Sequence, residues 1–328
     1  MIRRLAILLC ALLLSPCFLA AHALTLTDQN FVVHYNEPEE ALAKRTLDVL
    51  VTASKEFESS LPAGPEPITV VVCGTIQEFA QLARGYTMPN VLGLAFPERG
   101  LILLKSPELV REPADYRGTV RHELVHVLLA RNVNMDNVPR WLNEGIAMVL
   151  SGEFRYESTA RVAQMYLSGK TIDYRNLEYV FLAPGRELEF GDAYAQSLSM
   201  TRFLLRKLGE EEFWRMVHSL KTEPLSTALR TRLNMNEIEF YDAWVRSLWK
   251  FALVFSLVSG FSVFQLMALL TFAAYIRKRR RGQRLLREWE TEEAEMYGDV
   301  TSDDAPDESE WMDEDDPSCP DYDDPRLR

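Results

Sequence analysis

Hydrophobic residues fall into three regimes along this chain. An apolar run from Leu5 to Leu14 extends weakly to Ala21, and a second, Phe251 to Ile276, covers 26 residues without a charge. Between them the apolar positions are periodic. Phe31-Val32-Val33-His34-Tyr35 predicts a strand, and Glu39–Ser59 has helical spacing with Leu42, Thr46, Val49, Leu50 and Phe57 toward a core. The segment from Pro62 to Pro67 breaks that pattern, and the β-branched run Ile68–Cys73 predicts a buried strand. Thr75 is placed to cap a short helix through Ala83. Leu92–Phe96 and Leu101–Leu104 flank Pro97-Glu98-Arg99-Gly100 and predict a hairpin. After Pro113 the spacing is helical. Strands first and helices afterwards make the expected fold class α+β, a small mixed sheet followed by a helical bundle.

The two apolar runs predict export and anchoring. Arg3 and Arg4, the first run and the small-x-small pattern Ala21-His22-Ala23 read as a signal peptide over residues 1–23, cleaved before Leu24. An uncleaved signal anchor is the rival reading, and Pro16 before Cys17 argues against a lipoprotein. A helix crosses the hydrocarbon layer in about 20 residues, so residues 250–276 are expected to span it once. The Arg277-Lys278-Arg279-Arg280-Arg281 cluster, with Arg284 and Arg287, puts the following tail in the cytoplasm. Residues 24–249 are then extracytoplasmic, or periplasmic, on an inner (plasma) membrane.

Charge refines this division. The net charge of −12 is concentrated in the tail: from Glu288 onward there are 18 Asp or Glu against two Arg, which leaves +4 for everything before. Residues 277–328 read as a basic then acidic disordered tail. The near-neutral remainder offers no nucleic-acid surface. Of four cysteines, Cys10 and Cys17 lie in the signal and Cys73 and Cys319 on opposite sides of the membrane, so no disulfide framework is implied.

The chemistry concentrates in the helix that starts near Asp115, in His122-Glu123-Leu124-Val125-His126. Residues four apart share a helix face, so both imidazoles can reach one Zn²⁺ while Glu123, on the flank, can reach its bound water. A third ligand is needed. Leu129 and Asn132 stand where the metzincin pattern requires Gly and His, which excludes that class. Eighteen residues past His126, Pro139-Arg140-Trp141-Leu142-Asn143-Glu144-Gly145 predicts a second helix. Pro139 suits its first turn, Trp141, Leu142 and Met148 its buried side, and Gly145 close packing on the metal helix. Glu144 is the candidate third ligand. His34 and His218 lie far from any ligand spacing.

HELVH followed by WLNEG resembles the gluzincins of the peptidase MA superfamily, the thermolysin-like and aminopeptidase-N-like metallopeptidases. The likeness covers about Phe31–Trp249 and is strongest over Thr119–Leu150. It implies a zincin-like fold with zinc on His122, His126 and Glu144 and Glu123 as base. It also suggests Tyr194 as a donor to the oxyanion, against which a Tyr simply packed beside Leu198 and Thr201 must be weighed. No segment of the kind that binds a free N-terminus is found, which favours an endopeptidase. The expected function is a membrane-anchored zinc peptidase cutting envelope polypeptides, its zinc-bound water activated by Glu123. The substrate would pair along a sheet edge, expected at Leu101–Leu104. The alternatives are a zincin-fold binding or assembly protein without turnover, and a zinc hydrolase of a non-peptide amide.

Overall fold

A computed structural model describes residues 24–85, 91–110, 115–152, 156–182, 187–260 and 263–297. The expected signal peptide and the end of the acidic tail lie outside them. The described residues fall into two units, one ending at Leu257 and one beginning at Val258.

In the first unit, five strands form one mixed sheet: β1 (Leu24–Asp28), β2 (Phe31–Tyr35), β3 (Ile68–Cys73), β4 (Gly93–Phe96) and β5 (Leu101–Lys105), in the order β1-β2-β3-β5-β4. β2, β3 and β5 run parallel, and β1 and β4 flank them as antiparallel edges. The two parallel links need crossovers. α1 (Glu40–Phe57) supplies the first, and α2 (Ile76–Leu82) lies in the second. Thr75 caps α2 by accepting from the Glu78 backbone N–H, as its position suggested.

β3 is apolar along its length because both faces are covered. Val70 and Val72 join the main core, whereas Val71 and Cys73 join a smaller cluster with Phe79, Ala83 and Leu103. Cys73 is a free, buried thiol, and burial pushes its pKa up.

One expectation is corrected here. Leu101–Leu104 belongs to β5, which is interior because it pairs with both β3 and β4. The free edge on that side is β4. The hairpin was read correctly, but which of its arms faces outward depends on the parallel partner of β5, a contact about thirty residues distant in sequence (Val71↔Leu103).

The helical half begins with α3 (Tyr116–Asn132), continues through α4 (Arg140–Ser151), α5 (Tyr156–Leu167), α6 (Tyr174–Leu182) and the long α7 (Glu187–Leu208), and closes with α8 (Glu210–Ser219), α9 (Leu225–Leu233) and α10 (Glu237–Gly260). α7 packs against α4, α5, α6 and α8. Gln196, fully buried, grips the Ile172 backbone at both its N–H (2.9 Å) and its carbonyl (2.7 Å). The Trp244 indole N–H donates to Ser199 Oγ at 3.0 Å and ties α10 to α7.

Beyond residues 258–260, the end of α10, the described part of the second unit is one helix, α11 (Val263–Tyr297). Its apolar side chains Leu266, Met267, Leu269, Leu270, Phe272 and Tyr275 are exposed. The expected single spanning helix is divided between α10 and α11, with residues 261 and 262 outside the described set. Each piece holds only part of the uncharged run, and no described helix is long and apolar enough to cross a membrane. α11 also runs through residues 277–297, the first part of the expected disordered tail, because that stretch is rich in helix formers such as Arg, Leu, Glu and Ala.

Candidate metal centre

α3 is fixed at both ends and in the middle. Asp115 caps it by accepting from the Gly118 N–H at 3.0 Å, and Tyr116 and Thr46 hydroxyls meet at 2.7 Å, joining it to α1. Beside the first histidine, Arg121 donates to Glu56 (2.6 Å) and to the Leu150 carbonyl (2.9 Å), with its guanidinium over the Phe57 ring. At the far end Arg131 donates to the Ala63 and Glu66 carbonyls and Asn132 to the Pro62 carbonyl, so the proline-rich loop clamps the helix.

α4 starts at Arg140 with Pro139 just outside it, at φ −64° and ψ 151°. Trp141, Leu142 and Met148 are buried as expected. Gly145 is not. Its approach is to α7: a Cβ added there would lie 2.0 Å from Thr201 Oγ1 and 2.7 Å from the Ser197 carbonyl. Gly145 thus seats α4 on α7, on a side of α4 other than the one that carries the site. The sequence showed that a close packing occurs, and the tertiary arrangement selected a different partner.

The result brings His122, His126 and Glu144 together. Glu144 Oε2 stands 3.4 Å from His122 Nε2 and 3.5 Å from His126 Nε2. One ligand atom from each of the three residues lies within 4.8 Å of the others. Donors bound tetrahedrally at about 2.0–2.1 Å from one ion are about 3.3–3.4 Å apart, so the two glutamate edges match that figure closely. Glu144 Oε2 is buried and makes no hydrogen bond, as a metal-binding oxygen would not. Two imidazoles and a carboxylate are a donor set suited to a divalent transition ion. The residues fit a metal.

Electrostatics agree with the geometry. Burial opposes ionisation of Glu144, but the two imidazoles outweigh it and hold its pKa well below the usual range. Burial likewise opposes charging of His126, and Glu144 overcomes it, raising that imidazole to about 9. Glu123 is outside the triad and its pKa is raised, mainly by burial, against the histidines and a backbone hydrogen bond from Ala95. A carboxyl with a raised pKa, beside a metal site but not in it, is poised to exchange a proton.

Two contributors were not singled out from the sequence. Asn143 Oδ1 lies 2.9 Å from His126 Nδ1 and orients the ring. Gly93 on β4 leaves room for Glu123, since a Cβ there would come within 2.7 Å of Glu123 Cγ. Asn143 was visible as the neighbour of Glu144, but nothing in its spacing distinguishes an orienting amide from a surface one. Gly93 carried no signal beyond being a glycine in a strand.

His122 and Glu123 open onto a cleft of about 410 Å³, whose walls include Leu92, Gly93, Met148 and Tyr194. Tyr194 therefore faces the same space as the candidate base, with its ring edge-on to Phe181 at 5.4 Å. His34 Nδ1 contacts Thr25 Oγ1 at 3.2 Å and His218 is exposed on α8, both away from the cleft.

Comparison with known proteins agrees with this picture. Residues 63–248, more than half of the chain, match the family model described as the Peptidase MA superfamily. A search of curated proteins returns no match.

Proposed function

We propose that this chain, which belongs to the peptidase MA superfamily, is a membrane-anchored zinc endopeptidase acting on polypeptides outside the cytoplasm. The observation that carries the enzymatic reading is Glu144 Oε2 set 3.4 and 3.5 Å from the two imidazoles, with Glu123 beside them and outside the ligand set. His122, His126 and Glu144 would hold the ion. Zinc bound there supplies Lewis acidity, which makes water a competent nucleophile near neutral pH and polarises the scissile carbonyl.

The remaining steps belong to the protein. Glu123 accepts the proton of the attacking water, and its raised pKa lets it keep that proton until the amine leaves. It then returns the proton to the departing nitrogen, so the amide bond breaks without net change to the enzyme. Tyr194, which lines the same cleft, would donate to the developing oxyanion. Asn143 keeps His126 in one orientation. β4 offers the free strand edge beside the site, and an extended peptide pairing there would be held through its backbone.

Anchoring is supported by different observations. The run from Phe251 to Ile276 carries no charge and is followed by seven basic residues through Arg287. Trp249, Leu253, Val254 and the apolar residues of α11 are exposed to an extent that calls for a non-aqueous surrounding. In this reading the first unit lies outside and the basic segment inside.

The test is a paired measurement on the purified full chain in detergent. Wild type binds about one zinc per chain, the stoichiometry of one three-ligand site, and cleaves an unfolded polypeptide. Glu123→Gln keeps the metal and loses cleavage. Equal cleavage by both proteins would end the enzymatic reading, and release of the chain from membranes by alkaline carbonate would end the anchoring.

A further inference from the structure

Part of the lining of the cleft beside the metal site is left unused by the proposed mechanism. Glu157, Ser158 and Arg161, on one face of α5, border the same space as His122 and Glu123. Glu157 and Arg161 are four residues apart, the spacing and order at which a glutamate and a following cation ordinarily pair on a helix. Here they do not pair. The Arg161 guanidinium donates instead to Asp192 of α7 at 2.9 Å. It lies close against Gly191, where an added Cβ would come 3.3 Å from Arg161 Nη1 and 3.4 Å from its Cζ.

The charge of Arg161 is thus met by α7, while Glu157 is exposed and makes no hydrogen bond or ion pair with a described residue. The first turn of any helix favours a carboxylate, but this one borders the space in which the reaction would take place. The metal site does not change the sign, because the two charges of a divalent ion are met by Glu144 and the ionised Glu123. One negative charge is left for whatever enters the cleft, and a cationic group answers it. Val91, Leu92 and Met148 supply apolar lining to the same space. That combination suits a charge carried on a methylene stem, as in lysine and arginine. β4 contributes Gly93 to the lining, so a peptide paired on that edge runs into the space that Glu157 borders.

We infer that Glu157 determines specificity: it selects polypeptides that carry a lysine or arginine near the bond to be cut. The inference rests on the peptidase reading above. A free N-terminal ammonium has the same charge but no methylene stem, and the apolar lining favours the side chain. Because Glu157 is open to solvent, its attraction for a cation weakens as salt rises.

The experiment gives the zinc-loaded full chain, in an uncharged detergent, a set of octapeptides blocked at both ends. One position, scanned along the peptide, is lysine, arginine, norleucine or glutamate, and mass spectrometry of the fragments yields kcat/KM for each. At one position relative to the scissile bond, lysine and arginine exceed norleucine about tenfold, the value of one charge-assisted hydrogen bond, and the excess shrinks at high salt. Glu157→Gln brings the lysine-to-norleucine ratio to about one, and Glu157→Lys turns the preference toward glutamate. Glu157 is exposed, so both variants keep the wild-type thermal melt. A ratio near one in wild type, or unchanged in both variants, overturns the subsite. A norleucine peptide favoured only when its N-terminus is free, with no gain from lysine, overturns the side chain as the source of the charge. Binding separates this inference from the reading beneath it: the same peptides, fluorescently labelled, are titrated by anisotropy against Glu123→Gln with and without Glu157→Gln. Tighter binding of lysine that Glu157→Gln removes, where wild type cuts nothing, ends the enzymatic reading and keeps the subsite. Cleavage without any preference for lysine does the reverse.

Discussion

Asn143 and Glu144, consecutive on α4, hold opposite nitrogens of one imidazole: Asn143 Oδ1 lies 2.9 Å from His126 Nδ1, and Glu144 Oε2 lies 3.5 Å from His126 Nε2. Hydrogen bonding at Nδ1 fixes the tautomer that leaves Nε2 free to bind a metal. Asn143→Ala should therefore reduce zinc affinity by about 10–100-fold while leaving the fold intact. Competition against a fluorescent chelator measures it, and an affinity equal to wild type would mean that the amide orients nothing.

Gly93 bears on Glu123, the proposed base. A methyl group there meets Glu123 Cγ at 2.7 Å and Thr119 Cγ2 at 2.9 Å, so the carboxylate must move. Gly93→Ala should lower kcat about 100-fold, the lower range for a mispositioned general base, with zinc content unchanged. Loss of zinc together with activity would show that the substitution disturbs α3 as a whole.

Gly145 should be intolerant of any side chain for a structural reason. An added methyl meets both Thr201 and the Ser197 carbonyl, and forcing two helices apart in a packed core costs about 1–3 kcal/mol or more. Gly145→Ala should lower the melting temperature by several degrees. Thr201→Ala should not restore it, since the backbone carbonyl at 2.7 Å remains. Full rescue would place the obstacle on the threonine alone.

The metal-free site should resist zinc at neutral pH. Burial lowers the His126 pKa and Glu144 raises it by more, from the ordinary 6.5 to about 9. Between those values the metal-free folded protein holds a proton on His126 that the unfolded chain has lost. Its contribution to metal-free stability is complete below pH 6.5 and disappears as the pH rises through 9. Zinc must displace that proton, so its affinity should climb about tenfold per pH unit across this window and level off above it. Chelator competition from pH 6 to 10 gives the curve, and an affinity flat above pH 7 would contradict the raised pKa.

Much of the architecture was legible because it is local. Thr75 as a cap, the hairpin around Pro97–Gly100 and the helical burial of Thr46, Val49 and Leu50 each depend on residues close in sequence. β1 was missed because Leu24–Asp28 lies at an edge and is mostly exposed, so its pattern has no buried face to report. The identity of the sheet edge and the partner of Gly145 were misjudged for a shared reason: each depends on which distant element arrives alongside, and periodicity is silent on that.

The sequence alone nominated the candidate donor residues. Helical geometry makes His122 and His126 neighbours, and the second motif nominates Glu144 without saying how far away it lies. Only the tertiary structure decided the distance, because α1, the proline-rich loop and α7 together position α3 and α4. Backbone periodicity fixes neighbours within one helix; the spacing between helices is set by side chains such as Arg121 and by gaps such as Gly145, whose partners lie far along the chain.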